Sequence, residues 1–296
     1  LGRYTPKPVV RGVQLSTGVL LMAQGIKFML GTSKFQMLKD AAEPFLSVQT
    51  IGPVPIGIVI GVIGGFGTLF FLENRRFPAG LLVVFGGIII GVVLGALKGL
   101  GELNMGLFLP EILPSGWPNF SDFSAAFLIL VLPQIPMTLG NAVIAYVDLS
   151  DDYFGKKAGK VTCKSACISM ALANIASFLI GGMPLCHGAG GLAAHYRFGA
   201  RTAGSNLMIG GIFVVLALLF GTSGLYILHL IPMSILGILL IFAGVQLGLT
   251  VIDIKERKDL FVVLIILGIT LASNLAAGFL AGIAIAYALK SEKLNI

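Results

Sequence analysis

Two stretches of the chain combine residue types and spacing suited to holding an anion. The first is Gly181-Gly182-Met183-Pro184-Leu185-Cys186-His187-Gly188-Ala189-Gly190-Gly191-Leu192. Its glycines and Pro184 oppose a continuous helix, yet the residues on both sides are apolar enough to cross a bilayer. The pattern predicts a short extended piece near 183–187 and then a half-helix from about Gly188. A helix that starts inside a membrane presents unpaired N–H groups and the positive end of its dipole. Such an end is an anion site, and transporters place it near the bilayer midplane. Gly188, Gly190 and Gly191, with Ala189 between them, would let an oxyanion come close to the backbone. His187 could donate a hydrogen bond or titrate. A satisfied structural histidine is the other reading of His187.

The second stretch is Pro133-Gln134-Ile135-Pro136-Met137-Thr138-Leu139-Gly140-Asn141, inside an apolar run. Two prolines three apart remove backbone donors and free carbonyls. In lipid this is tolerated where the backbone is buried in protein or lines a cavity. Gln134, Thr138 and Asn141 follow at spacings of four and three, which places them on one helical face. That face reads as the wall of a site, or alternatively as interhelical glue.

Other chemistries lack their residues. None of the 13 acidic residues falls in mid-span, which suits an anion better than a cation. Cys163, Cys167 and Cys186 match no metal spacing and read as buried structural thiols. His187 and His195 have no carboxylate near them in sequence, so no metal or cofactor is expected. His195, beside Arg197 and Arg201, reads as interfacial. The pairs Gly64-Gly65 and Gly86-Gly87 read as close-packing sites, because the Lys of a phosphate loop is missing. Asn174, Ser177, Gln246 and Asn274 read as packing or capping residues. No Ser/His/Asp arrangement is recoverable, so the chain is not expected to be an enzyme.

The elements that must position these stretches are membrane helices. Of the 296 residues 56% are hydrophobic and 11% charged, too few charges to cover a soluble globule of this size. Forty glycines fit close helix packing. Apolar runs near 13–30, 54–72, 79–97, 123–147, 161–180, 205–220, 225–248, 260–272 and 274–289, with 181–204 as a discontinuous span, make ten passes. Alternating the connections puts all of the 20 basic residues except Lys27, Lys34, Lys39 and Lys98 on one side. The positive-inside rule makes that side, with both termini, cytoplasmic. The net charge of +7 is then an orientation signal, and no aqueous domain gathers it into a nucleic-acid surface. Trp117, in the long polar loop 99–122, reads as an interface anchor. The chain opens at Leu1 without a signal peptide or an initiator Met, the pattern of a processed chain or a fragment.

The run 182–192, continuing through His195-Tyr196-Arg197-Phe198-Gly199-Ala200-Arg201-Thr202, resembles the molybdate transporter family, a relative of the SulP sulfate permeases. The 133–141 stretch is similar to that family's other hallmark, and Pro8-Val9-Val10-Arg11-Gly12-Val13-Gln14-Leu15 resembles the start of its fifth span. The resemblance implies an all-α polytopic fold of fourteen spans in two inverted seven-span repeats, with broken third and tenth spans facing each other. This chain matches spans five to fourteen. Residues 1–98 correspond to the last three spans of the first repeat, 99–122 to a non-cytoplasmic loop and 123–296 to a complete second repeat. Residues 225–248, opening with Ile231-Pro232, look like the inverted partner of 8–30. Four spans of the first repeat, and with them half of the substrate site, are expected to be missing. The eighth-span acid of many SulP relatives has no counterpart in 123–147.

Carried over by motif, substrate contacts fall at His187, Gly188, Ala189, Gly190 and Gly191, with Gln134, Thr138 and Asn141 on the opposing wall. The function expected is secondary transport of a tetrahedral oxyanion, molybdate first, by alternating access in the cell membrane. Sulfate or a nucleobase is the alternative cargo. A homodimer fits the reading. A non-transporting membrane subunit and a membrane-embedded enzyme are the rivals from other classes.

Overall fold

Apolar runs that meet lipid must satisfy their backbone groups internally, and helices do so within one segment. The computed structural model describes residues 5–38, 50–72 and 78–290, without the side chains of Phe35, Leu38, Lys98, Glu102, Leu132, Pro133 and Pro136. Arg3, Lys39, Arg75, Arg76 and Lys293, which enter the charge argument, lie outside the described residues. The chain is mostly helical: α1 (Lys7–Leu30), α2 (Lys34–Leu38), α3 (Ile56–Phe71), α4 (Ala79–Val93), α5 (Phe120–Ala126), α6 (Leu132–Met137), α7 (Tyr146–Phe154), α8 (Cys163–Leu179), α9 (Ala189–Arg197), α10 (Gly204–Phe220), α11 (Leu225–Leu228), α12 (Met233–Gly248), α13 (Arg257–Ala272) and α14 (Leu275–Ala288). Two short strands, β1 (Thr50–Ile51) and β2 (Val54–Pro55), pair antiparallel ahead of α3.

Among the described residues three helices have the length and apolarity to cross a membrane: Lys7–Leu30, Gly204–Leu228 and Met233–Asp253. The pair Thr138–Ala158 and Cys163–Leu179, bent by 106°, makes a fourth if it is one span. The 24 residues of α1 reach roughly 36 Å at about 1.5 Å per residue, against a hydrocarbon core of about 30 Å. The 16 and 15 residues of α3 and α4 fall short of that thickness. The ten crossings counted from the sequence are therefore not each matched by a full-length helix. One boundary also moves. Residues 225–228 continue the helix from Gly204, and the break comes at Pro232, whose ring and missing N–H stop the preceding turns. The thiols differ from expectation too. Cys163 is half-buried, and Cys167 and Cys186 are exposed, on surface that hydrocarbon covers as readily as water does.

The chain divides into two units. One comprises Leu21–Leu109 and Ala194–Ala243. Its core joins Ile56, Ile60, Val83 and Ile235. Within it α1 and α12 meet backbone to backbone: a Cβ on Gly25 would stand 2.4 Å from the Gly237 carbonyl oxygen, and one on Gly237 would stand 2.5 Å from that of Gly25. Much of its surface is apolar, with Phe70 81% and Leu207 77% exposed, and no residue of α10 is buried. A soluble protein rarely shows such a surface.

The other unit comprises Leu1–Leu20, Pro110–Ala193 and Gly244–Ile296. Here α13 and α14 form a hairpin at Ser273 and Asn274, and the Asn274 side chain accepts from the Ala277 N–H at 2.9 Å. Ile266 is fully buried in this unit and fills the space left by Gly12 and Gly282. The helix that carries Pro133 and Pro136 is not interrupted. It runs from Phe120 to Phe154 with π-helical turns at Phe127–Val131 and Thr138–Ala145 on either side of α6. A widened turn relieves the clash of a proline ring with the preceding carbonyls.

Candidate functional site

Helix α8 starts at a capping box between Thr162 and Ser165 and gives way at Gly181, which has φ +67°. A Cβ on Gly181 would meet Pro114 Cγ at 2.4 Å, so both the turn and its neighbour require glycine. Gly181→Ala is expected to cost about 1–2 kcal/mol for the left-handed backbone and about 1–3 kcal/mol for overpacking. A lowered unfolding temperature in detergent checks this.

From Gly182 the chain runs back along α8 as a non-helical segment to Gly188. Asn174 acts as its partner: Nδ2 donates to the Leu185 carbonyl at 2.7 Å, and Oδ1 accepts from the Leu185 N–H at 3.1 Å. Ser177 Oγ donates to the Met183 carbonyl at 2.7 Å, and the Gly182 N–H donates to the Ser177 carbonyl at 2.7 Å. Side chains of α8 thus supply some of the hydrogen bonds that a helix would have made.

This segment delivers His187 to Ser169 and Tyr146. His187 Nε2 lies 3.1 Å from Ser169 Oγ, and the tautomer decides which of them donates. The imidazole stacks on the Tyr146 ring at 5.5 Å between centroids and 26° between planes. Gly188 follows, and a Cβ there would stand 4.0 Å from Asn141 Nδ2. Asn141 Oδ1 is enclosed and has no hydrogen-bond partner among the described residues. An unmet buried amide costs about 1–3 kcal/mol, and turning it over would offer N–H instead of oxygen.

The half-helix expected from about Gly188 is α9, which begins at Ala189. The N–H groups of Gly191 and Leu192 bond back to the Gly188 carbonyl at 3.0 and 3.4 Å. Those of Gly188, Ala189 and Gly190 have no acceptor among the described residues. The unpaired set is therefore narrower than the sequence suggested, because the Gly191 amide closes the first turn. The half-buried Gly188 and Gly190 flank Ala189, which is fully buried.

Of the second stretch, the structure brings Asn141 to this turn. Thr138 opens the π-helical segment and is half-buried. Gln134 lies in α6 and is exposed, and the π-helical segment between it and Asn141 departs from the regular spacing assumed for a shared face. Tyr146, Ser169, Asn174 and Ser177 were not singled out for the site. The available signal was the polar series Ser169, Asn174 and Ser177 in an otherwise apolar helix directly before a break. His195 is exposed near the end of α9. Nearby, the Arg201 guanidinium lies 3.6 Å from the Tyr196 ring centre and donates to the Tyr196 carbonyl.

Residues 126–247, which include both stretches, match the sequence family described as molybdate transporter of the MFS superfamily. Molybdate transporter 2 of Arabidopsis thaliana is 31% identical over 315 residues, covering 98% of this chain and 66% of that protein. Molybdate transporter 1 of the same plant is 30% identical, covering 94% of this chain and 64% of that protein. Molybdate transporter 1 of Chlamydomonas reinhardtii is 37% identical over 214 residues, covering 70% of this chain and 40% of that protein. The chain thus spans less than two thirds of the length of the curated relatives it matches. Along nearly all of its length this helical, apolar-surfaced chain is thus similar to proteins named molybdate transporters, and residues 126–247 match that family's model.

Proposed function

We propose that the chain carries the anion-binding part of a secondary transporter for a tetrahedral oxyanion, molybdate first, working by alternating access. The observation behind this reading is the start of α9: unpaired amides at Gly188, Ala189 and Gly190 next to His187 and Asn141. A dianion without a lysine or arginine beside it needs several neutral donors, since an unpaired buried charge is very costly. Three amides at the positive end of a helix, the His187 ring and the Asn141 amide would provide them. Molybdate rather than sulfate follows from the names of the relatives, because the two ions share charge and shape.

The same reading takes the fold as two inverted seven-span repeats related to the SulP permeases. Residues 1–98 would belong to the first repeat, 99–122 to an outer loop and 123–296 to the second. The termini of the chain would be cytoplasmic, since the basic residues gather on that side. The test is uptake of molybdate into proteoliposomes by the full-length protein, with sulfate as competitor. Saturable uptake that sulfate reduces is the expected result. No uptake of either ion overturns the reading.

A further inference from the structure

We propose that Arg11 and Gln14 are positioning residues for the anion site, fixing the helix that carries Asn141 and Tyr146. The proposal rests on the site reading above. Both side chains are enclosed, Arg11 at 4% exposure and Gln14 at 0%. Arg11 Nη1 donates to Gln14 Oε1 at 2.9 Å and also to Asp148. Its Nη2 donates to Asp253 at 2.7 Å and to Asp152 at 3.3 Å, and its Nε donates to Asp253 at 3.0 Å. Lys7 adds a second cation on Asp253 at 2.7 Å. Gln14 Nε2 donates to Asp148 at 3.1 Å and to the Ala145 carbonyl at 3.5 Å, while its Oε1 also accepts from Thr250 at 3.0 Å. The Gln14 amide is fully used, and so is the fork of the guanidinium.

The Ala145 carbonyl, Asp148 and Asp152 lie on one helix, while Asp253 and Thr250 tie the same two side chains to the turn after α12. Ala145 is the last residue of the π-helical segment, where the i→i+5 pattern returns to i→i+4 and carbonyls are imperfectly paired. Ala145 lies four residues after Asn141 in the same π-helical segment, so the Gln14 bond to its carbonyl holds the backbone about one turn from Asn141. Tyr146, which stacks on His187, is the residue next to Ala145. Apolar packing alone would tolerate rotation of this helix about its axis. The two-point grip of Gln14, with Asp148 shared by Arg11, does not.

The test uses full-length protein in proteoliposomes and the variant Gln14→Met, which keeps the side-chain length and removes its hydrogen bonds. The half-saturating molybdate concentration is expected to rise about tenfold, equal to about 1.4 kcal/mol, with the maximal rate per transporter and the unfolding temperature little changed. In combination with Asn141→Ala the two effects are expected to be strongly non-additive. An unmoved half-saturation, or additive effects, overturns the proposal. Should Gln14→Met fail to fold, Thr250→Val removes one bond to Gln14 and serves in the same cycle. A smaller rise coupled to Asn141 supports the proposal, and no rise overturns it. Uptake that Gly190→Leu abolishes and Gln14→Met leaves intact removes the positioning role alone. Absent uptake by the unaltered protein removes the site reading and this proposal together.

Discussion

Gly190→Leu is expected to abolish molybdate binding and uptake by the full-length protein while leaving its unfolding temperature essentially unchanged. Gly190 is the second residue of α9 and half-buried. Side chains on a helix tilt toward its N-terminus, so a leucine here would project over the unpaired amides of Gly188 and Ala189. An oxyanion would then lose its approach to the backbone. Hydrogen bonds to a charged group contribute about 1.5–3 kcal/mol each. Losing two of them amounts to a drop of roughly a hundredfold or more, since about 1.4 kcal/mol is a decade. The fold is expected to survive, because leucine is a better helix former than glycine by nearly 1 kcal/mol. Equilibrium binding in detergent and uptake in liposomes measure the effect. Unchanged affinity would remove the first turn of α9 from the site.

The second large effect is on stability. Arg11→Leu leaves Asp148, Asp152 and Asp253 around an apolar side chain, although the three carboxylates now meet on one guanidinium. Removing one partner of a fully buried ion pair costs about 3–5 kcal/mol. Because these carboxylates are 33–46% exposed, solvent screens the charges left behind and the cost falls below that range. A substantial fall in unfolding temperature is expected, and Asp253→Asn on the Arg11→Leu background should recover part of it by removing one stranded charge. Asp152→Asn alone should do little. Its side chain is 46% exposed and its bond to Arg11 is 3.3 Å long, so solvent screens the pair. Equal stability of Arg11→Leu and the unaltered protein would show that the network carries no weight.

Local rules made the broken segment legible. Glycines with a proline between apolar flanks predicted a stop and a restart, and α9 does restart at Ala189, one residue from the expected Gly188. The resemblance carried by 182–202 and 133–141 also agrees with the family match over residues 126–247. What sequence could not supply was partnership across distance. Asn174 pairs with the Leu185 backbone because the helix break exposes that carbonyl and amide, and nothing in the composition of α8 announces which backbone groups will be exposed. Arg11 meets Asp148 and Asp253 across separations of 137 and 242 residues. In the sequence these are unremarkable charges at span ends. Gln134 illustrates the opposite failure. The spacing argument assumed a regular 3.6-residue helix, whereas the prolines are accommodated by π turns that alter the register beyond them. The break before α12 moved for a related reason, since hydropathy does not register where Pro232 ends a helix.

The contact of Gly25 with Gly237 has a mechanical consequence. Two backbones that touch with no side chains between them have no rotamers to rearrange and no soft layer to shear. A Cβ on either glycine would be driven against the opposing carbonyl, so the contact leaves no room for a side chain. This crossing is therefore the stiff part of the α1–α12 pair, and any compliance has to lie where larger side chains form the contact.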